Sequence, residues 1–226
     1  MPADVQDVFK RIYDSGHWER GSGVGSCALH TELYRNLLQT IVSSRGIARV
    51  VDAGCGDWQF SHLVDWSSVD YLGIDAVSPL IAQDISRYAR PNITFESFDF
   101  SMELIPECDL LICKDVLQHW PAAPIQWFLE KQVPRARHAL ITNDVESVYS
   151  DASLQNSDVP FGAWRTLDLA RSPYNLEPVW QLDWPIEDKW LKRTMLLSRR
   201  PSPFDFKARR ETRRLLRALD QGFAHP

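Results

Sequence analysis

Cysteine is scarce: the 226 residues contain four, Cys27, Cys55, Cys108 and Cys113, scattered along the chain. No pair has the two-residue gap of a zinc knuckle or a redox dithiol. The thiols therefore read as reduced and buried, since free cysteine packs readily in cores. Long apolar runs are missing too. Nothing approaches the ~20 residues of a membrane-spanning helix, and the opening MPADVQDVFKRIYDSG has no apolar stretch of the secretory kind. A soluble, cytoplasmic protein is expected. Internal repeats and low-complexity tracts are absent. No Cys/His/Asp set has metal-ligand spacing, so no metal is expected.

What is present is globular in character: 44% hydrophobic and 24% charged residues exclude a wholly disordered or collagenous chain. The length suits one large domain, able to bury a core without disulfides. The net charge of −5 hides an asymmetry. From Arg199 to Arg217 eight basic residues face two acids, a surplus of six, so the rest of the chain carries −11. An acidic body disfavours a broad nucleic-acid face, although a short basic tail could still touch an anionic partner. Nine tryptophans, several beside Asp or Pro, suit both core packing and the walls of a pocket.

Residues 4–13 place Val5, Val8, Phe9 and Ile12 at helical spacing. The small-residue loop Gly21-Ser22-Gly23-Val24-Gly25-Ser26 follows, then a helix from about Ala28 to Ser43. That helix would begin beside the loop, with its positive dipole end suited to a carboxylate. From residue 49 strands and helices alternate. Strands are expected at Arg49–Asp52, Asp70–Ile74, Ile93–Phe95, Asp109–Cys113 and His138–Thr142, with helices after Ser78-Pro79 and over Pro121–Gln132. Ser78 looks like a helix cap, with Pro79 first in the helix. The irregular stretch between Asp144 and Pro173 is long enough for a pocket wall. Val179–Asp183 and Thr194–Ser198 form a closing antiparallel pair, and Phe204–Leu219 a basic helix.

This alternation implies right-handed crossovers and a doubly wound α/β fold. The expectation is a mainly parallel seven-stranded sheet with an antiparallel edge strand and N- and C-terminal helical additions. It divides into a helical lid at 1–46, a Rossmann-like core at 47–200 and the basic helix at 201–226. Ligands of such sheets bind beyond the carboxyl ends of the strands, and the polar residues fall there. Strand one runs into Asp52-Ala53-Gly54-Cys55-Gly56-Asp57, whose glycines let the backbone turn and approach a ligand. The dinucleotide fingerprint needs a third glycine, and position 59 is Gln. Strand two ends in Asp75, placed for a ribose's hydroxyls. Asp99, between Phe98 and Phe100, either holds an exocyclic amine or caps a helix. Strand four ends in Lys114-Asp115-Val116-Leu117-Gln118-His119-Trp120.

VVDAGCGDW, YLGID, SFDF and DLLICKDVLQHW, in this order, resemble the strand-end motifs of the class I, Rossmann-like S-adenosylmethionine-dependent methyltransferases. The resemblance covers about residues 47–145. It implies that S-adenosylmethionine is the cofactor, with Asp52, Gly54 and Gly56 along its methionine portion and Asp57 also on the cofactor. Asp75 would take its ribose, Asp99 and Phe100 its adenine, and Lys114 would flank the sulfonium. The flanks are similar to a bacterial and viral branch of that superfamily, through Tyr13, Trp18, Ser22-Gly23-Val24-Gly25-Ser26, Asn156-Ser157-Asp158 and Gly162-Ala163-Trp164-Arg165. Trp18 and Ser26 are then expected on the cofactor and Tyr13 on the substrate.

For proton transfer His119 leads, because an imidazole titrates near neutrality; Asp115 and Asp144 are its rivals. Asn143 could orient an acceptor and Arg165 bind a carboxylate, an ion pair being the alternative for Arg165. The implied activity is methyl transfer to O or N of a small polar metabolite or glycan-like acceptor. The alternatives are a methyltransferase of RNA or protein and a noncatalytic sensor of the cofactor. The partner is then a small molecule, with no membrane and a homodimer left open.

Overall fold

The computed structural model describes residues 5–18, 21–44 and 46–199; the expected basic helix lies outside these residues. Seven strands make one sheet: β1 (Arg49–Ala53), β2 (Asp70–Asp75), β3 (Ile93–Ser97), β4 (Cys108–Lys114), β5 (Ala136–Ser147), β6 (Trp180–Ile186) and β7 (Trp190–Ser198). Their order is β3-β2-β1-β4-β5-β7-β6. β1 to β5 pair in parallel, and β7 opposes both β5 and β6. The doubly wound, mainly parallel sheet is therefore formed, with the opposing strand β7 one place in from the edge. Strand order reverses between β1 and β4, which puts the ligand crevice above their carboxyl ends.

The runs Val50-Val51 and Leu110-Leu111-Ile112-Cys113 are buried on both faces, so helices must cover both sides. Four α-helices are present among the described residues: α1 (Val5–Ser15), α2 (Glu32–Ser44), α3 (Ser78–Tyr88) and α4 (Ala122–Trp127). On one face Tyr34, Leu37, Leu38 and Ile41 of α2 pack with Trp58, Trp66 and Val50. On the other, Ile125 of α4 joins Phe100, Trp120, Phe128 and Val51. Each large side chain so buried contributes roughly 1.5–3 kcal/mol, which makes α2 part of the body.

Four local expectations shift. Helix α2 starts at Glu32, not Ala28, because Thr31 donates from Oγ1 to the Cys27 carbonyl (2.9 Å) in a separate turn. Its positive end is thereby displaced from the glycine loop. Ser78 is the first residue of α3 and not its cap; its hydroxyl is drawn to Ser97 on β3, 2.7 Å away. The Pro121–Gln132 helix is α-helical only to Trp127 and continues as a π-turn. That wider turn lets buried Gln132 bond Ile105 N, Phe100 O and Glu103 O. Strand β5 runs five residues past Thr142, because β7 pairs with it as far as Ser147. The extra length carries Asp144 over the crevice. No helix among the described residues is long and apolar enough to cross a membrane.

Candidate active site

The turn after β1 is fixed by backbone demands. Gly54 sits at φ +80°, and a Cβ there would lie 2.3 Å from Val116 Cγ2. The amides of Gly54 and Cys55 both donate to the Ile74 carbonyl (2.8 and 3.1 Å), locking the turn to β2. Gly56 N donates to Asp75 Oδ2 (3.2 Å) and Val77 N to Oδ1 (3.0 Å). Each oxygen of Asp75 keeps lone-pair capacity for a further donor. Burial raises the pKa of this carboxyl. Asp52 accepts from the Tyr71 hydroxyl (2.5 Å) and Ser61 (3.4 Å), and burial pushes its pKa up to about 6.

Asp52, Gly54, Cys55, Gly56 and Asp75 wall an inner cavity together with Tyr13, Trp18, Ser26, Asp99, Phe100 and Lys114. Asp99 caps a turn and not a helix, its Oδ1 accepting from Ser101 N (3.0 Å) and Oγ (2.6 Å), and the residue also borders the cavity. Phe100 packs on Trp120, with ring centroids 5.1 Å apart. The N-terminal segment crosses above. Ser22 donates to Asp57 through Oγ (2.6 Å) and N (3.3 Å), and receives Asp57 N on Oγ (3.0 Å). Tyr13 adds a bond to the same Oγ (2.9 Å), and burial raises its phenol pKa. Asp57 is outside the cavity lining; its carboxylate ties down this strap and does not face the cofactor position expected for it. Tyr13 lines the inner cavity and not a separate substrate pocket.

A wider outer cavity, about 1610 Å³ and open to solvent, shares Trp18, Ser22, Asp115 and His119 with the inner one. Its floor is a charged chain. Lys114 Nζ meets Asp115 Oδ2 (2.5 Å) and the Gly25 carbonyl (3.0 Å). Lys192 Nζ bridges Asp115 Oδ1 and Asp144 Oδ1, at 2.7 Å each. Asp144 Oδ2 accepts from Gln118 Nε2 (3.0 Å) and Trp164 Nε1 (3.1 Å). Burial alone would raise the Asp115 carboxyl; the two ammoniums outweigh that and hold it at about 2. For Lys192 burial is likewise overcome, by the two carboxylates, and its pKa is raised. Burial lowers that of Lys114.

His119 is buried with its ring 4.9 Å from that of Trp18. Nδ1 lies 3.3 Å from the Ala163 carbonyl, which can only accept, so Nδ1 carries the proton and Nε2 the lone pair. Burial depresses its pKa to about 4, so the expected titration near neutrality does not arise: the ring is neutral. The unfolded imidazole binds a proton first as pH falls, so stability is lost from about 6.5 down towards 4. The full loss is roughly 3 kcal/mol. A His119→Gln variant should lose stability less steeply over that window, as measured by denaturant unfolding at successive pH values. Equal slopes would refute the neutral, buried imidazole.

Two expected substrate residues are elsewhere. Asn143 alternates with Thr142 and Asp144 along β5 and so shares the face of Ile141, away from both cavities. Arg165 is buried, donates from Nη1 to the Leu117 carbonyl (3.1 Å) and lines neither cavity. With Gly162 N on the His119 carbonyl (2.9 Å) and Arg165 N on the Gln118 carbonyl (3.3 Å), the segment 162–165 brackets the His119 turn. Asp158 caps α4 through Ala122 N (2.7 Å), and Asn156 bonds the carbonyls of Asp168 and Ser172. Those motifs organise the site's walls. Lys192 is the residue that sequence reasoning missed; its signal is a lone Lys in the apolar strand WLKRTMLLS, in phase with buried Thr194.

The strand order, the glycine turn after β1 and the acid ending β2 give the Rossmann-like fold of the class I S-adenosylmethionine-dependent methyltransferases. No family model and no curated protein sequence matches the chain, and the likeness is one of structure. The 1,6-didemethyltoxoflavin-N1-methyltransferase of Burkholderia thailandensis aligns with TM-score 0.64 and 16% identity, over 88% of this chain and 90% of that one. The N-methyltransferase NodS of Bradyrhizobium japonicum gives 0.59 and 14%, over 85% and 97%. Magnesium protoporphyrin IX methyltransferase of Synechocystis gives 0.55 and 17%, over 86% and 93%. All three structures hold S-adenosylhomocysteine.

Proposed function

We propose that the protein is an enzyme, an S-adenosylmethionine-dependent methyltransferase, with the cofactor in the inner cavity and a small polar acceptor in the outer one. The observation that carries this reading is the wall the two cavities share, Trp18, Ser22, Asp115 and His119. The inner cavity suits the cofactor in three ways. Gly54, at positive φ and packed under Val116 where no side chain fits, presents bare backbone to the cavity. Asp75 retains acceptor capacity for ribose hydroxyls, and Asp99 with Phe100 offers an acid beside a ring for the base. Asp52, Ser26 and Lys114 remain for the amino-acid portion.

When bound, the cofactor supplies a methyl group already activated by its sulfonium, so the protein's task is chiefly alignment of the acceptor. Trp18 and the strap exclude water from above. The Asp115–Lys192–Asp144 chain fixes the floor, and His119 Nε2 offers a lone pair to an acceptor N–H or O–H. Acceptance by O or by N of a small metabolite is the working scope, and an acidic body favours that over RNA. The test is calorimetric titration of S-adenosylhomocysteine, followed by incubation of the protein with methyl-labelled donor and a metabolite extract. One-to-one binding and a labelled small product are expected. Binding without any product would favour the sensor, and no binding would refute the proposal.

A further inference from the structure

We infer that the acceptor is a planar aromatic compound with a weakly basic nitrogen, an arylamine or aza-heterocycle, and that this nitrogen takes the methyl group. The inference rests on the methyltransferase reading above. Three features of the outer cavity carry it, beginning with its walls. Trp18, Tyr149, Trp164 and Trp190 all line it, and Tyr149 and Trp190 pair with ring centroids 5.4 Å apart. Tyr149 is 63% exposed; so much aromatic surface left open marks a ligand's place.

The second feature is charge. Lys114 and Lys192 are matched by Asp115 and Asp144, and Glu187 is met by Lys189 (3.1 Å) and His30 (3.4 Å). Among the described residues the carboxylates and ammoniums at the cavity therefore balance, leaving no surplus charge for an alkylammonium, a carboxylate or a phosphate, each of which is costly to desolvate without a partner.

The third feature is the absence of a waiting base among the buried or part-buried groups of the cavity, Asp115, Asp144 and His119; His17, which also lines it, is exposed to solvent. Both Asp144 oxygens are occupied, by Lys192 on one side and by Gln118 and Trp164 on the other. Asp115 lies between two ammoniums, and His119 holds a proton weakly because it is buried. An alkyl hydroxyl would have to lose its proton as it attacks. An aromatic amine or ring nitrogen is neutral near pH 7 and attacks with its own lone pair. The nitrogen–carbon bond forms as the donor's carbon–sulfur bond breaks, and the bonding pair stays on sulfur. The extra proton on nitrogen leaves afterwards to water. Where the nitrogen bears hydrogen, His119 Nε2 accepts from it and orients the lone pair.

The test uses the full chain with deuteromethyl donor and four probes: aniline and benzimidazole against cyclohexylamine and methyl glucoside. Mass spectrometry should find N-methylated products of the aromatic probes, with a turnover rate flat in pH from about 6 to 9. Trp190→Ala should raise their KM about tenfold with kcat nearly unchanged. Transfer to the glucoside or to cyclohexylamine alone would overturn the inference. So would no transfer to either aromatic probe by protein that binds S-adenosylhomocysteine. Failure to bind S-adenosylhomocysteine would instead remove the methyltransferase reading, and this inference with it.

Discussion

Lys192→Met should cost about 3–5 kcal/mol of stability, the toll of breaking a buried ion network by removing one partner. Lys192 is 4% exposed, and its ammonium lies 2.7 Å from a carboxylate oxygen on each side. Without it Asp144 keeps only neutral donors, and Asp115 keeps Lys114 alone. Native proteins hold about 5–15 kcal/mol in all, so the loss is a large fraction of the whole. For a chain of this size the midpoint should fall by roughly 10 °C. Scanning calorimetry measures it directly. Lys192→Met/Asp144→Asn should recover part of the loss, because it removes one of the stranded charges. A single variant that melts within about 2 °C of the parent would show that the bridge contributes little.

Asp75→Ala is expected to have the largest effect on binding. The carboxylate can accept from two ribose hydroxyls, each charge-assisted bond being worth about 1.5–3 kcal/mol before water compensates. Affinity for S-adenosylhomocysteine should drop about a hundredfold or more. The same oxygens also hold Gly56 N and Val77 N, so some loss of turn order accompanies the change. Asp75→Asn separates the two effects: it keeps an acceptor for the turn but loses the charge, and should fall between. Calorimetry on both variants decides. Unchanged affinity in Asp75→Ala would move the ribose elsewhere.

β1, β2 and β4 are legible in the chain because each is a short apolar run that leads into an acid or a glycine. Asp52, Asp75 and Asp115 could be placed at one edge from that pattern alone. The other half of the sheet depends on pairings between distant residues. Nothing near Asp144 in sequence announces that β7 will set Lys192 beside it, 48 residues on, so a group offered as a free base proves fully bonded. Period-two alternation along β5 does hold information about Asn143: it stands one residue from Thr142 and two from Ile141, and so faces the core. Arg165 differs again. It lies in an irregular stretch, and in the fold it is buried where the Leu117 carbonyl and Tyr174 meet its guanidinium, pairings that no local pattern announces. Burial also sets the His119 pKa, which residue type alone misstates.

The Ser22–Asp57 clamp bears on the order of arrival and departure. Three hydrogen bonds join the pair, and Tyr13 supplies a fourth to the same hydroxyl. At about 0.5–1.5 kcal/mol each, undoing them slows escape from the inner cavity by roughly one to four orders of magnitude. The outer cavity opens to solvent. With the cofactor inside and the acceptor outside, as proposed, turnover would run as a queue: the inner guest would enter first, the outer one come and go, and the spent inner guest leave last, at a pace set by the strap.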